Sequence, residues 1–190
     1  MRLLAQAWIL AQSVCAYKCY TVGMAIEITL PHELLYEAAV VGIKRHIQAL
    51  AHNLPDRHGA DPDRGWQNHV EGACGEAAYA LARGIPVALT IGTFRRQADF
   101  GDKVEVRTRS KPWHDLIIRQ DDDPEKFYIL VTGRAPTDRV HGWISGADAR
   151  RPDWVRAYGS REPAWFVPQK ALHHFPRDMG RPRDTLENLL

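Results

Sequence analysis

The chain has 190 residues, of which 45% are hydrophobic and 25% charged, with a formal net charge of +2 at neutral pH. That length supports one domain with a real hydrophobic core and is thin for two, and the composition excludes a disordered or strongly charged chain. Bulk charge names no partner, and the three cysteines, Cys15, Cys19 and Cys74, build neither a disulfide framework nor a zinc site, so a reducing, cytoplasmic setting is expected.

Residues 1–23 begin with Arg2 and the mostly apolar run Leu3 to Ala16. Gln6, Gln12 and Ser13 interrupt that run, it is too short to span a bilayer, and no small-residue cleavage site follows it, so neither a secretory signal nor a membrane partner is expected. Met24-Ala25-Ile26-Glu27-Ile28 reads like a natural start. Residues 1–23 are therefore expected to be an extension outside the core, with an amphipathic structural helix as the alternative. Residues 24–176 form the expected domain, and 177–190, with Arg177, Arg181 and Arg183, a basic tail.

From Pro31 onward, Tyr36, Val40, Ile43, Ile47 and Leu50 recur at spacings of four and three, which predicts a helix with that stripe as one face. Pro31 suits its first turn. His52 to Gly65 is rich in Asn, Asp, Pro and Gly and reads as a loop. An Ala-rich helix is predicted over about 68–83, closed by Gly84 and Pro86. The period then changes to two: Val104, Val106 and Thr108 alternate with Glu105, Arg107 and Arg109, as a strand with one buried and one polar face requires. Leu116 to Ile118, Phe127 to Val131 and Val140 to Ile144 read as further strands, the first two separated by the acidic turn Asp121 to Pro124, and together they suggest a meander. Trp154, Trp165 and Phe166 sit in a less regular C-terminal part.

The chemistry concentrates in Ala98-Asp99-Phe100-Gly101-Asp102-Lys103-Val104-Glu105-Val106-Arg107. Glu105 and Arg107 share a face because the strand period is two, and a turn carrying Asp99 can fold its carboxylate back beside Glu105. Two carboxylates plus a substrate phosphate suffice for a hard divalent ion, which takes oxygen ligands and keeps several waters. Around them Arg95, Arg96, Lys103, Arg107, Arg109, Lys111 and Arg119 outnumber Asp99, Asp102, Glu105 and Asp115. That balance suits a polyanion such as nucleic acid, and it equally describes an ordinary mixed-charge surface.

The order of a helical Glu in Gly72-Ala73-Cys74-Gly75-Glu76, then Asp99, then Glu105-Val106-Arg107 resembles the PD-(D/E)xK nuclease superfamily over roughly residues 72–131. Trp143-Ile144-Ser145-Gly146 and Pro163 to Gln169 are similar to stretches of small phage and prophage members. The resemblance implies a restriction-endonuclease-like α/β fold, a three-layer core in which a central mixed β-sheet is flanked by helices. It also implies Mg²⁺-dependent hydrolysis of DNA, with Mn²⁺ as a substitute ion. Glu76, Asp99 and Glu105 would be the metal ligands, Arg107 would hold the scissile phosphate, and Arg95, Arg96, Lys103, Arg109 and Lys111 would contact nucleic acid. Ala98 stands where the family has proline, and Arg107 where it has lysine. The second change matters, because a guanidinium stays protonated whereas a lysine can be tuned to act as a neutral base. The same fold without catalysis, binding nucleic acid only, is the alternative, and a homodimer stays open.

Each residue also has an ordinary structural role to set against the functional one. Glu76 suits a solvated helix position paired with Arg83 or Lys44, Asp99 and Asp102 suit a turn, and Glu105 and Arg107 suit cross-strand ion pairs. His52, His58 and His69 have no compact metal spacing. Ser145 and Cys74 have no partnered base visible in sequence, and Trp143, Trp154 and Trp165 fit core or rim positions.

Overall fold

A computed structural model of the chain describes residues 19–22, 25–53, 64–91, 98–159 and 161–175. Arg95, Arg96, His58 and the 177–190 tail lie outside these residues. Among the described residues there are two α-helices, α1 (His32–Ala51) and α2 (Gly65–Arg83). Eight strands accompany them: β1 (Cys19–Val22), β2 (Ala25–Thr29), β3 (Val104–Arg109), β4 (Leu116–Ile118), β5 (Phe127–Arg134), β6 (Thr137–Ser145), β7 (Val155–Arg156) and β8 (Ala164–Val167). The chain is thus mixed α/β, as the change of period at Val104 predicts. Among the described residues no helix is long and apolar enough to cross a membrane.

The main sheet runs β1-β2-β6-β5-β3 and is mixed: β3 pairs parallel with β5, and the other neighbours are antiparallel. Strand β1, within the segment read as an extension, forms the outer edge against β2. The four strands predicted after residue 100 are all present, but they do not form a meander. β4 leaves for a second sheet, β4-β8-β7, and that excursion lets β5 return beside β3 in the same direction. The uninterrupted apolar run Ile129-Leu130-Val131 reflects this placement, since β5 is covered on one face by the helices and on the other by the second sheet. Ile129 and Val131 pack toward the helices, whereas Tyr128 and Leu130 pack with Leu116, Ile118 and Val167 of the second sheet. Of the two faces expected to carry helices, one is therefore covered by a small sheet among the described residues. The C-terminal part that reads as irregular supplies two of its strands, each too short to announce itself as a pattern.

Helix α1 occupies its predicted span but turns the other way. Its buried stripe is Leu34, Ala38 and Gly42, while Tyr36, Ile43, Ile47 and Leu50 are exposed. The reason is a close helix crossing: a Cβ on Gly42 would stand 2.5 Å from Val70 Cα of α2. Only a small-residue stripe admits that approach, so the larger apolar side chains are left outside. α2 in turn buries Ala73, Ala77, Ala78 and Ala80, and ends at Gly84 in the left-handed conformation, as its closing signal predicts. Gly75 of α2 faces Thr108 of β3 so closely that a Cβ would collide with the threonine hydroxyl.

Gly75→Ala is therefore expected to destabilise the chain by about 1–3 kcal/mol, and pairing it with Thr108→Ala to restore part of the loss in urea unfolding. A second expectation concerns Asp138 of β6, which is 1% exposed and has an unpartnered Oδ2. Burial, and then the charge of Glu71, push its carboxyl up to about 7. The folded chain holds this proton more tightly than the unfolded chain. Its stabilising contribution is full below the ordinary carboxylate value of 3.8 and is lost as pH rises through about 7. Asp138→Asn should flatten the fall in urea midpoint across that window; an unchanged slope would mean that the group does not titrate with folding.

Candidate functional site

Strand β3 is the edge of the main sheet opposite β1, so one side of its backbone faces no strand. Asp99 covers that side, its Oδ2 accepting the Val106 N–H at 2.8 Å. This single bond brings the turn acid alongside the strand that carries Glu105, as the sequence predicts for a turn folding back. Phe100 and Val104 close the turn with a pair of backbone hydrogen bonds.

Glu76 reaches the same neighbourhood from α2. It is not the solvated helix residue of the ordinary reading, nor does it pair with Arg83 or Lys44: it is 6% exposed and held by both Nη atoms of Arg45, at 2.5 and 2.8 Å. Arg45 also donates from Nε to the Thr90 carbonyl at 2.8 Å, tying α1 to α2 and to the segment that leads toward Asp99. Burial works against the charge of Arg45, but the bond to Glu76 and the charges of Glu76 and Asp99 outweigh it.

Asp99 registers the gathering of negative charge. Burial first, then the charge of Glu76, raise its carboxyl well above the ordinary carboxylate range; Glu105 adds to the rise, while the Val106 N–H and Arg107 oppose it. The three acids picked out by sequence order are thus electrostatic neighbours. They do not form a ready cage: among the described residues no group of three or more His, Cys, Asp or Glu side chains is placed to hold a metal ion. The donors nonetheless suit a hard divalent ion in kind, being carboxylate oxygens whose mutual repulsion a cation would relieve.

The cations around them are arranged differently from the sequence expectation. Arg107 bonds through Nη2 to Asp122 Oδ1 at 2.7 Å and lies over the Tyr128 ring, 5.3 Å from its centroid, with its buried Nε unpartnered. Beside Glu105 stands Lys126 instead, its Nζ 2.7 Å from Oε1, both side chains being largely buried. Lys126 went unnoticed in sequence because it follows the acidic turn. Its period-two relation to Tyr128 and Leu130 places it on that face, but the parallel pairing of Glu105 with Tyr128 is what brings it to the acid. Arg45, too, carries no sequence signal of its partner.

Of the remaining basic candidates, Lys103 and Lys111 are exposed, and Lys111 Nζ lies 5.9 Å from the Trp113 ring centroid. Arg109 is partly buried beside Asp115, and burial lowers its hold on its proton. Cys74 is buried with its thiol pushed up to about 12, chiefly by burial, which makes it a poor nucleophile. Trp143, Trp154 and Trp165 pack against the two cores, as expected of core and rim aromatics. No protein-family model, curated protein or solved structure matches this chain.

The Arg45–Glu76 pair is largely buried, with side chains 17% and 8% exposed. Removing one partner leaves the other charge buried and unpaired, so Arg45→Met is expected to cost about 3 kcal/mol in urea unfolding. Arg45→Met with Glu76→Leu should regain most of this; a double variant as unstable as the single would show that the charge pairing is not what Arg45 contributes.

Proposed function

We propose that the chain is a metal-dependent nuclease that hydrolyses DNA phosphodiester bonds, with Glu76, Asp99 and Glu105 as ligands of Mg²⁺ or Mn²⁺. The observation that carries this reading is the pressure of Glu76 and Glu105 on Asp99, from a helix and a strand onto the turn between them. Carboxylates crowded in this way favour a bound cation over three separate charges. A bound ion of this class polarises a phosphoryl oxygen and lowers the pKa of a coordinated water.

The chain's own groups supply the rest. Lys126, held against Glu105, takes the part that the nuclease pattern gives to a lysine on the strand itself: a compact ammonium that steadies the scissile phosphate. Arg107, occupied by Asp122, orders the turn that precedes Lys126 and adds positive potential near Asp99. Lys103 and Lys111, exposed at the two ends of β3, draw the polyanion toward this edge. The ion pairs that already neutralise Glu76 and Glu105 favour a second reading, a catalytically inactive nucleic-acid-binding protein of the same fold.

Incubating the purified protein with linear, circular and single-stranded DNA in Mg²⁺ or Mn²⁺ separates the two. Cleavage is expected, to be abolished by a chelator and by Glu105→Ala, and reduced about 10²-fold or more by Lys126→Ala. Arg107→Lys should not raise it. Salt-sensitive binding without cleavage would carry the inactive reading, and neither binding nor cleavage would overturn both.

A further inference from the structure

A cavity of about 500 Å³ lies on the face of β6 turned away from the helices, closed by the turn Gln169–Ala171 and the residues after it. Its size suits a small organic ligand. Arg139, His141, Lys170 and His174 line it, and among the described residues no carboxylate does. Arg139 is steadied by Glu27, whose Oε2 accepts its Nε at 2.9 Å, and its Nη atoms make no hydrogen bond among the described residues. Lys170 is exposed and forms no ion pair among them. His174 donates from Nδ1 to the His141 carbonyl at 3.2 Å, which fixes the orientation of its ring at the cavity.

His141 is fixed from behind by Thr132, with Oγ1 2.6 Å from Nε2. Burial, followed by the charges of Arg139 and His174, holds its pKa down to about 4, so its ring is neutral. The threonine contact fixes the ring's orientation at the cavity wall. The described lining thus brings together two cationic side chains, Arg139, which Glu27 pairs on one side, and Lys170, with two imidazoles. An anion with several acceptor oxygens, such as a phosphate, is the complementary guest.

The rim adds an aromatic surface. Trp113 is 72% exposed, and it follows Pro112, which lines the cavity. Gln169, also in the lining, donates from Nε2 to the carbonyls on both sides of it, Pro112 O at 2.7 Å and His114 O at 2.9 Å. The indole is thus exposed on a backbone held at both flanks, which offers a face for stacking.

We infer that this cavity binds the phosphate of a 5′-phosphorylated nucleotide whose base stacks on Trp113, as a free nucleotide or as the 5′ end of a DNA strand. Arg139, through its free Nη atoms, and Lys170 supply charge and N–H donors to the phosphate, and the oriented rings of His141 and His174 shape the wall beside it. The inference rests on residues apart from Glu76, Asp99 and Glu105, and stands whether or not those acids bind metal.

The test is equilibrium binding of short fluorescent single-stranded DNA, with and without a 5′-phosphate, to the full chain in low salt and excess chelator. Cleavage at the acid cluster then plays no part. The 5′-phosphorylated strand is expected to bind about tenfold more tightly than the 5′-hydroxyl strand. Lys170→Gln should abolish that preference, and Trp113→Ala should weaken both strands about tenfold. Both positions are exposed, so the variants keep the fold. Unlabelled 5′-dAMP in competition assigns the source: displacement at comparable concentrations identifies a nucleotide site, and displacement by oligonucleotide alone identifies a strand end. Equal affinity for the two ends, a preference that survives Lys170→Gln, or no saturable binding would overturn the inference.

Discussion

The burial of Asp99 at the edge of β3, under the charges of Glu76 and Glu105, is the constraint around which the surrounding contacts are arranged. Three carboxylates in one partly dry neighbourhood cannot all keep their charge without compensation. Arg45 meets Glu76 with a bidentate fork, Lys126 meets Glu105, and Asp99, left with one backbone N–H, is held above the ordinary carboxylate range by burial and by the charges of Glu76 and Glu105. The same contacts tie the layers together. Arg45 links both helices to the segment before Asp99, Asp99 covers the open side of β3, and Lys126 joins β3 to the start of β5. Electrostatic compensation and tertiary assembly are therefore one set of bonds.

The division of labour between Arg107 and Lys126 follows from the shapes of their charged groups. A guanidinium is flat, donates in a fork and lies over aromatic rings, and Arg107 does this with Asp122 and Tyr128. Asp122 also accepts the Arg119 N–H at 2.8 Å, so Arg107 fastens a turn that closes on itself. Lys126, with a compact ammonium on a flexible stem, reaches a carboxylate from a neighbouring strand. Arg107 thus serves the turn, while the ammonium beside Glu105 comes from Lys126, immediately before β5.

The two faces of the main sheet are built for different ends. Toward the helices, small residues at Gly42, Gly75, Ala77 and Ala78 allow close approach, and this draws Glu76 down to the sheet edge. On the other face the small sheet covers only part of the surface with Leu116, Ile118 and Val167. Beyond it, β6 and the residues after β8 enclose the cavity beside Trp113. The two candidate sites thus lie on different residues of one sheet, and both are set by where the helical and small-sheet layers end.

Local periodicity determined a good deal. The spans of both helices, the closure of α2 at Gly84, the four strands after residue 100 and the folding of Asp99 toward Glu105 all depend on side chains within a few residues of each other, and such relations are written directly in the sequence. Which face of α1 is buried was decided by tertiary structure, because the contact of Gly42 with Val70 favours small side chains over the apolar stripe that periodicity picks out. The parallel return of β5, the departure of β4 into a second sheet and the pairing of Arg45 with Glu76, of Lys126 with Glu105 and of Arg107 with Asp122 were decided there too. These contacts join residues 15 or more positions apart. Charge and hydropathy mark such residues as needing partners, but only the packed chain selects which partner each receives.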